Sequence, residues 1–218
     1  MSHPWIIITA VESEADAVRQ GLDALNTEVN ADVVIGGIGR TNAAAATTQA
    51  LLEQPDCQGV VSAGIAGALP GSGLNVGDIV LAQRCVYVEE GLLSPTGFRD
   101  MAEMGFELGD FAGNAVPVHE PWLKALDSVT QVPIATAATC SGTDERAEFI
   151  VRRTSAAAEA MEGAAVVHAA RRLGIPGMEI RAISNTTGHR DRQQWDIPAA
   201  LARLKADLPS MLERLNRI

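Results

Sequence analysis

Short runs that are apolar on both faces alternate with helix-like stretches along this chain, and that alternation leaves few folds open. "WIIITAV" precedes "EADAVRQGLDAL", "DVVIGG" precedes "TNAAAATTQALLE", and "GVVSAG" precedes a glycine-rich turn. Strands without a polar face need cover on both sides, which helices supply, so the fold class is α/β. Further on, "GDIVLAQRCVYVEEG" reads as a long strand, and residues 91–118, rich in Gly and Pro without a period, read as loop. Helix "EPWLKALDSV", strand "VPIATAAT" and helix "DERAEFIVRR" follow, then helix "GAAVVHAARRLG", closed by Gly174 and Pro176. "PGMEIRAIS" is the last strand, and "IPAALARLKADLPSMLERL" the last helix, with an interruption expected at Pro209.

A chain of 218 residues with 47% hydrophobic side chains fills one domain, residues 1–218, and shows no linker or repeat. Its 17 Lys and Arg against 27 Asp and Glu leave a net charge of -10, which repels a phosphate backbone, so nucleic acid is not an expected partner. "WIIITAV" is too short to span a bilayer and lacks the flanks of a secretory signal; no membrane partner and a cytoplasmic location are expected. Cys57, Cys85 and Cys140 are odd in number and far apart, which suits free thiols in a reducing compartment. His3, His119, His168 and His189 share no ligand spacing, so no metal is expected.

In open α/β sheets, ligands gather outside the carboxyl ends of the strands. "GGIGRTN" stands at one such end but lacks the third glycine of a dinucleotide fingerprint, Asn42 taking its place, and no cofactor is expected. "VVSAGIAG" misses the nucleophile elbow, because Val60 stands where that turn needs glycine two residues before Ser62. Glu12, Glu14 and Glu162 open helices, where the helix dipole alone favours carboxylates by about 0.3–1 kcal/mol. Glu14, Glu162 and Asn185 nevertheless share strand exits with apolar flanks, where an unused charge or amide is costly.

"TAVESEAD", "GGIGRTNAAAATT", "SAGIAGAL" with "VGDIVLA", and "EAMEGAAVVHAARRLGIPGMEIRAISN", in that order, resemble the nucleoside phosphorylase and nucleosidase superfamily over nearly the whole chain. The resemblance implies a three-layer αβα fold whose central mixed sheet is partly closed like a barrel, acting on the N-glycosidic bond of a small-molecule nucleoside. Phosphorylases of this superfamily carry an arginine in the loop after the first strand and another before the glycine turn; here "VESEAD" and Val61-Ser62 stand there. Without those cations phosphate is not held, and the chain resembles the hydrolases, of the methylthioadenosine nucleosidase type. By position, the resemblance makes Glu14 the general base for the attacking water, Glu12 a lesser candidate, and Arg181 a residue that helps hold the water. It sets Met161 and Glu162 against the ribose, Glu162 accepting from its hydroxyls, and adds Gly64 and Ser184 to the substrate-binding set.

Adenine-cleaving members have aspartate at the place of Asn185. A protonated aspartate donates to purine N7; an asparagine has no proton to lend, but its amide can donate to a 6-keto oxygen while its carbonyl accepts from a protonated N7. The expectation is a 6-oxopurine nucleosidase. The tail "ISNTTGHRDRQQWDIPAAL" resembles a branch whose substrate bears an aryl carboxylate at its 5′ end, for which Arg40, Arg99 and His189 are candidate cations. "CSGTDER" supplies no aromatic ring to stack on the base, leaving Phe98, Trp195 or aliphatic contacts. An adenine-type nucleosidase, a 6-oxopurine nucleoside phosphorylase and a nucleoside-binding protein are the alternatives. The resemblance also implies a homo-oligomer, dimeric or built from dimers, in which residues 91–118 complete a neighbour's 5′ pocket.

Overall fold

The apolar runs become strands and the stretches between them helices, in a computed structural model that describes residues 3–24 and 29–218. Strand β1 (Trp5–Thr9), helix α1 (Glu12–Ala24), β2 (Ala31–Ile35), α2 (Arg40–Glu53) and β3 (Gly59–Ala68) form the first half. There follow β4 (Ile79–Tyr87), β5 (Gly91–Ser94), β6 (Gly97–Asp100), β7 (Ala115–Pro117), α3 (Glu120–Ala125), β8 (Thr130–Thr136) and α4 (Asp144–Thr154). The chain ends with β9 (Ala158–Ala160), α5 (Gly163–Arg172), β10 (Gly177–Thr186), a 3-10 turn (Arg190–Arg192) and α6 (Ile197–Leu215). Leu25, the last residue of the first expected helix, lies outside the described residues.

The main sheet runs β10-β4-β8-β9-β3-β1-β2, with β7 on β4. An additional pairing of β10 with β3 closes β3, β10, β4, β8 and β9 into a ring, which makes the sheet partly barrel-like. The sheet is mixed: β10 runs parallel to β3 but antiparallel to β4, and β9 is antiparallel to β3. Helix α1 packs with α6 and α2 with α5, layering helices about the sheet. The ring strands are covered on both faces, Val60, Val61, Leu81, Ile134, Ile180 and Ala182 all being fully buried. At roughly 25 cal/mol per Å² of apolar surface, such burial is the main term holding the strand ends in place. Among the described residues, no helix is long and apolar enough to cross a membrane.

Three expectations are corrected. The glycine-rich turn after "GVVSAG" comes later than expected, at Gly71 and Gly73 with φ 75 and 74, because β3 continues through Gly64 and Gly67 to Ala68; neither of these two glycines has a positive φ, and each is instead a place on the strand without a side chain, over which another side chain lies. Residues 91–118 are not all loop: β5 and β6 form a hairpin around "SPTG", with Gly97 at φ 126, and β7 joins the main sheet. Short strands of this kind carry too few residues to show a period. Helix α6 also runs unbroken through Pro209. There α1 offers Gly21, where any Cβ would run into the Lys205 carbonyl and the Pro209 ring, so the missing side chain leaves room for both.

Candidate active site

At the carboxyl ends of β1, β3, β9 and β10 lies a cavity of about 340 Å³, whose walls include Glu14, Glu162, Ser184 and Asn185. Glu14 comes from the first turn of α1 and is 3% exposed. Its Oε2 accepts from the backbone N–H of Ala10 (2.9 Å) and Val11 (3.3 Å), and its Oε1 from that of Ile65 (2.9 Å). A carboxylate offers about four lone-pair sites, so the three fixed donors orient it and leave one place, on Oε1, for a further donor such as water. Glu12 points the other way, to solvent, and pairs with Arg19 at 3.1 Å.

Arg181, on β10, is 1% exposed. Its Nε donates to Glu179 Oε1 (2.8 Å), and its Nη2 to Ser62 Oγ (3.0 Å) and Glu162 Oε2 (3.3 Å). Burial works against the guanidinium charge, but the carboxylates of Glu179, Glu162 and Glu14 together outweigh it and leave the pKa above the usual arginine value. Gly64 is the partner of Arg181 across β3 and β10. A Cβ on Gly64 would overlap both Glu14 Oε1 and Arg181 Nη1, so the base candidate and the arginine converge on the space that only glycine leaves open.

Glu162 precedes α5 and accepts from Gly39 N–H (3.0 Å), at the start of α2, and from Met161 N–H (3.3 Å). Met161 lines the cavity beside it, with Cys140 Sγ 3.3 Å from its sulfur. At the opposite end, β10 bulges between Ile183 and Asn185 where it pairs with Ala66 and Gly67. A bulge re-aims the side chain that follows it, and the amide of Asn185 lies over bare Gly67. The amide can be oriented from its neighbours. Its Nδ2 donates to the Thr186 carbonyl (2.9 Å), a group that can only accept, and Ser184 Oγ lies 2.8 Å from Oδ1. The Ser184 hydroxyl has one hydrogen, and with Nδ2 committed to Thr186 that hydrogen goes to Oδ1 rather than to the Ala66 carbonyl at 3.2 Å. Asn185 keeps one N–H and one lone pair free for the cavity.

All seven residues singled out in the sequence, Glu14, Arg181, Asn185, Met161, Glu162, Gly64 and Ser184, meet at this one end of the sheet. The candidate cations fare differently. Arg40 pairs with Glu89 and Glu90, and neither it, Arg99 nor His189 lines the cavity; Arg190, not anticipated, does. Of the two candidate aromatics, Trp195 lines the cavity under the Arg190 guanidinium (4.6 Å to its ring centre), whereas Phe98 is covered by Arg153. Trp195 is held there by a bridge to Asn185. Two buried carboxylates were also missed. Glu179 anchors Arg181 beneath the cavity, above Gly163, where a Cβ would overlap its carboxylate. Glu159 lines the cavity from β9, held by Ser141 N–H (2.8 Å) and Oγ (2.5 Å). The alternation apolar-polar-apolar in "AEA" was the available signal for Glu159, too short to read alone.

A model of the phosphorylase superfamily matches residues 7–217. Futalosine hydrolase of Acidothermus cellulolyticus is 39% identical, the alignment covering 94% of this chain and 88% of that one. The chain belongs to the phosphorylase superfamily, in its futalosine hydrolase family. Another member of this family, futalosine hydrolase of Streptomyces coelicolor, is 34% identical with 91% of each chain covered. The fold is that of a solved futalosine hydrolase mutant of Helicobacter pylori, with a TM-score of 0.80 at 20% identity over 97% of this chain and 99% of that one.

Proposed function

We propose that this protein hydrolyses the N-glycosidic bond of futalosine, releasing hypoxanthine. The observation that carries the reading is the orientation of Asn185, whose free N–H and free lone pair match a 6-keto oxygen and a protonated N7. The names of its relatives point the same way.

Glu14 takes a proton from a water that approaches the free site on Oε1, and the water oxygen bonds to C1′ of the ribose as the C1′–N9 bond breaks. Arg181, converging on the same space, helps hold that water. Positive charge grows on the sugar during this step, and the Glu162 carboxylate, accepting from the ribose hydroxyls, stabilises it more in the transition state than before it. The departing base keeps a proton on N7, taken from solvent because an amide has none to give, and Asn185 accepts from that N–H. Phosphate would meet Glu14, Glu162 and Glu179 with Arg181 already engaged by two of them, which favours water as the nucleophile. Trp195 under Arg190 is the aromatic surface available to the substrate, and Arg190 the cation available to its 5′ carboxylate.

Base release from futalosine, inosine and methylthioadenosine, followed by chromatography with and without phosphate, tests the reading. Hypoxanthine from futalosine at a rate indifferent to phosphate is expected; adenine release or dependence on phosphate overturns it. Asn185→Asp is expected to move the ratio of kcat/KM for adenine over hypoxanthine nucleosides upward by at least about tenfold, since a protonated carboxyl reverses the pattern. An unchanged ratio would show that Asn185 does not read the base. We also read the protein as cytoplasmic and homo-oligomeric, the latter because Leu93 and Phe106, 76% and 63% exposed, stand in the segment expected to meet a second copy.

A further inference from the structure

The hydrolysis proposed above uses Glu14 and Glu162 and leaves a third carboxylate of the cavity, Glu159, without a task. Its position is set by three neighbouring strands. Gly67 of β3 pairs with Asn185 of β10 on one side and with Glu159 of β9 on the other. Directly paired residues project from the same face, and two strand spacings put the Cα atoms of Asn185 and Glu159 about 10 Å apart. Gly67 contributes no side chain, and what lies over it is the Asn185 amide itself and the Thr187 methyl, so a strip free of bulky groups lies between an amide and a carboxylate that both line the cavity. The edge of a purine that runs from N7 past the 6-position to N1 fits such a strip lengthwise.

Glu159 is 7% exposed and accepts one hydrogen bond on each oxygen, from Ser141 N–H and Ser141 Oγ. Each oxygen therefore keeps lone-pair capacity for a donor in the cavity. Burial pushes its carboxyl pKa up, while the Ser141 bonds and the nearby Arg146 charge pull the other way. The Arg146 guanidinium itself is engaged with Glu89 and does not satisfy Glu159.

We propose that Glu159 is a second specificity determinant for the base, accepting a hydrogen bond from N1–H of a 6-oxopurine. The proposal rests on the reading of Asn185 above. With Asn185 at N7 and the 6-keto oxygen, N1 is the next ring atom on the β9 side. A 6-oxopurine carries hydrogen there, and a 6-aminopurine carries a lone pair. The same carboxylate thus bonds the first and repels the second, and a buried acceptor left facing a lone pair loses its partner outright. An amino group at C2 would also find an acceptor in Glu159, so the arrangement separates keto from amino bases rather than hypoxanthine from guanine.

Inhibition of futalosine cleavage by added hypoxanthine, 1-methylhypoxanthine and adenine tests this, with the wild type and with Glu159→Gln. The wild type is expected to bind hypoxanthine on the order of 10 to 100 times better than 1-methylhypoxanthine, which has no N1–H. In Glu159→Gln, whose amide can donate to N1 of adenine, the preference for hypoxanthine over adenine is expected to contract at least tenfold. Wild type that binds hypoxanthine no better than its 1-methyl derivative overturns the proposal, and so does a variant whose preference stays within threefold of wild type. The first comparison uses the native chain and decides the matter if the variant does not fold. A wild type that releases no hypoxanthine from futalosine overturns the hydrolase reading and this proposal with it; one that releases hypoxanthine but shows either overturning result removes this proposal alone.

Discussion

Glu14→Gln is expected to lower kcat by about 10²–10⁴-fold while the variant still binds nucleoside, the loss that follows removal of a general base. The geometry makes a secondary prediction about the fold. A glutamine can turn its oxygen toward the N–H groups of Ala10 and Val11, but its NH₂ then faces the N–H of Ile65, donor against donor. That mismatch costs about 1–3 kcal/mol of stability. Single-turnover cleavage, with nucleoside binding measured separately, distinguishes the two effects. Turnover within tenfold of wild type would remove Glu14 from the role of base.

Arg181→Met is expected to destabilise the protein by about 3–5 kcal/mol, because it leaves buried carboxylates without their cation. Methionine fills much of the same volume, so the loss is electrostatic rather than a cavity. Glu179 is fully buried with its Oε2 already lacking a hydrogen-bond partner, and Glu162 is nearly as enclosed. Such a loss is a large share of the roughly 5–15 kcal/mol by which domains are stable. Urea denaturation checks it, and a loss below about 1 kcal/mol would show that these carboxylates do not depend on Arg181. Activity should fall further than stability requires, since Arg181 also faces Glu14 across Gly64.

Much of this arrangement was legible in the sequence because it sits on long elements. β1, β3 and β10 are apolar runs that announce themselves; Glu14 stands just beyond the first and Asn185 near the end of the last, while Glu162 immediately precedes the long helix α5, and at such places position limits what a polar residue can do. Glu12 and Glu14 could not be separated by type, only by which face of α1 turned inward. Glu159 was hidden because β9 has three residues, too few for any period, and exists through its pairing with β8 and β3 rather than through local preference. Arg40 looked available along the chain but is neutralised by Glu89 and Glu90, which lie about fifty residues away in sequence. Pro209 misled because its cost depends on what faces it, and the partner that makes room, Gly21, lies in the first helix.

Gly64 and Gly67 mark two graduations on one strand, three residues or roughly 10 Å apart. In the proposed reaction, the base that activates the water is gauged from the first and the groups that read the purine from the second. Since the ruler between them is the backbone of a strand buried at the centre of the sheet, its length does not change when side chains at either mark do. On the proposed reading, point substitution at Asn185 or Glu159 trades one purine for another and leaves bond cleavage calibrated. Inserting a single residue between the two glycines would throw both ends out of register at once.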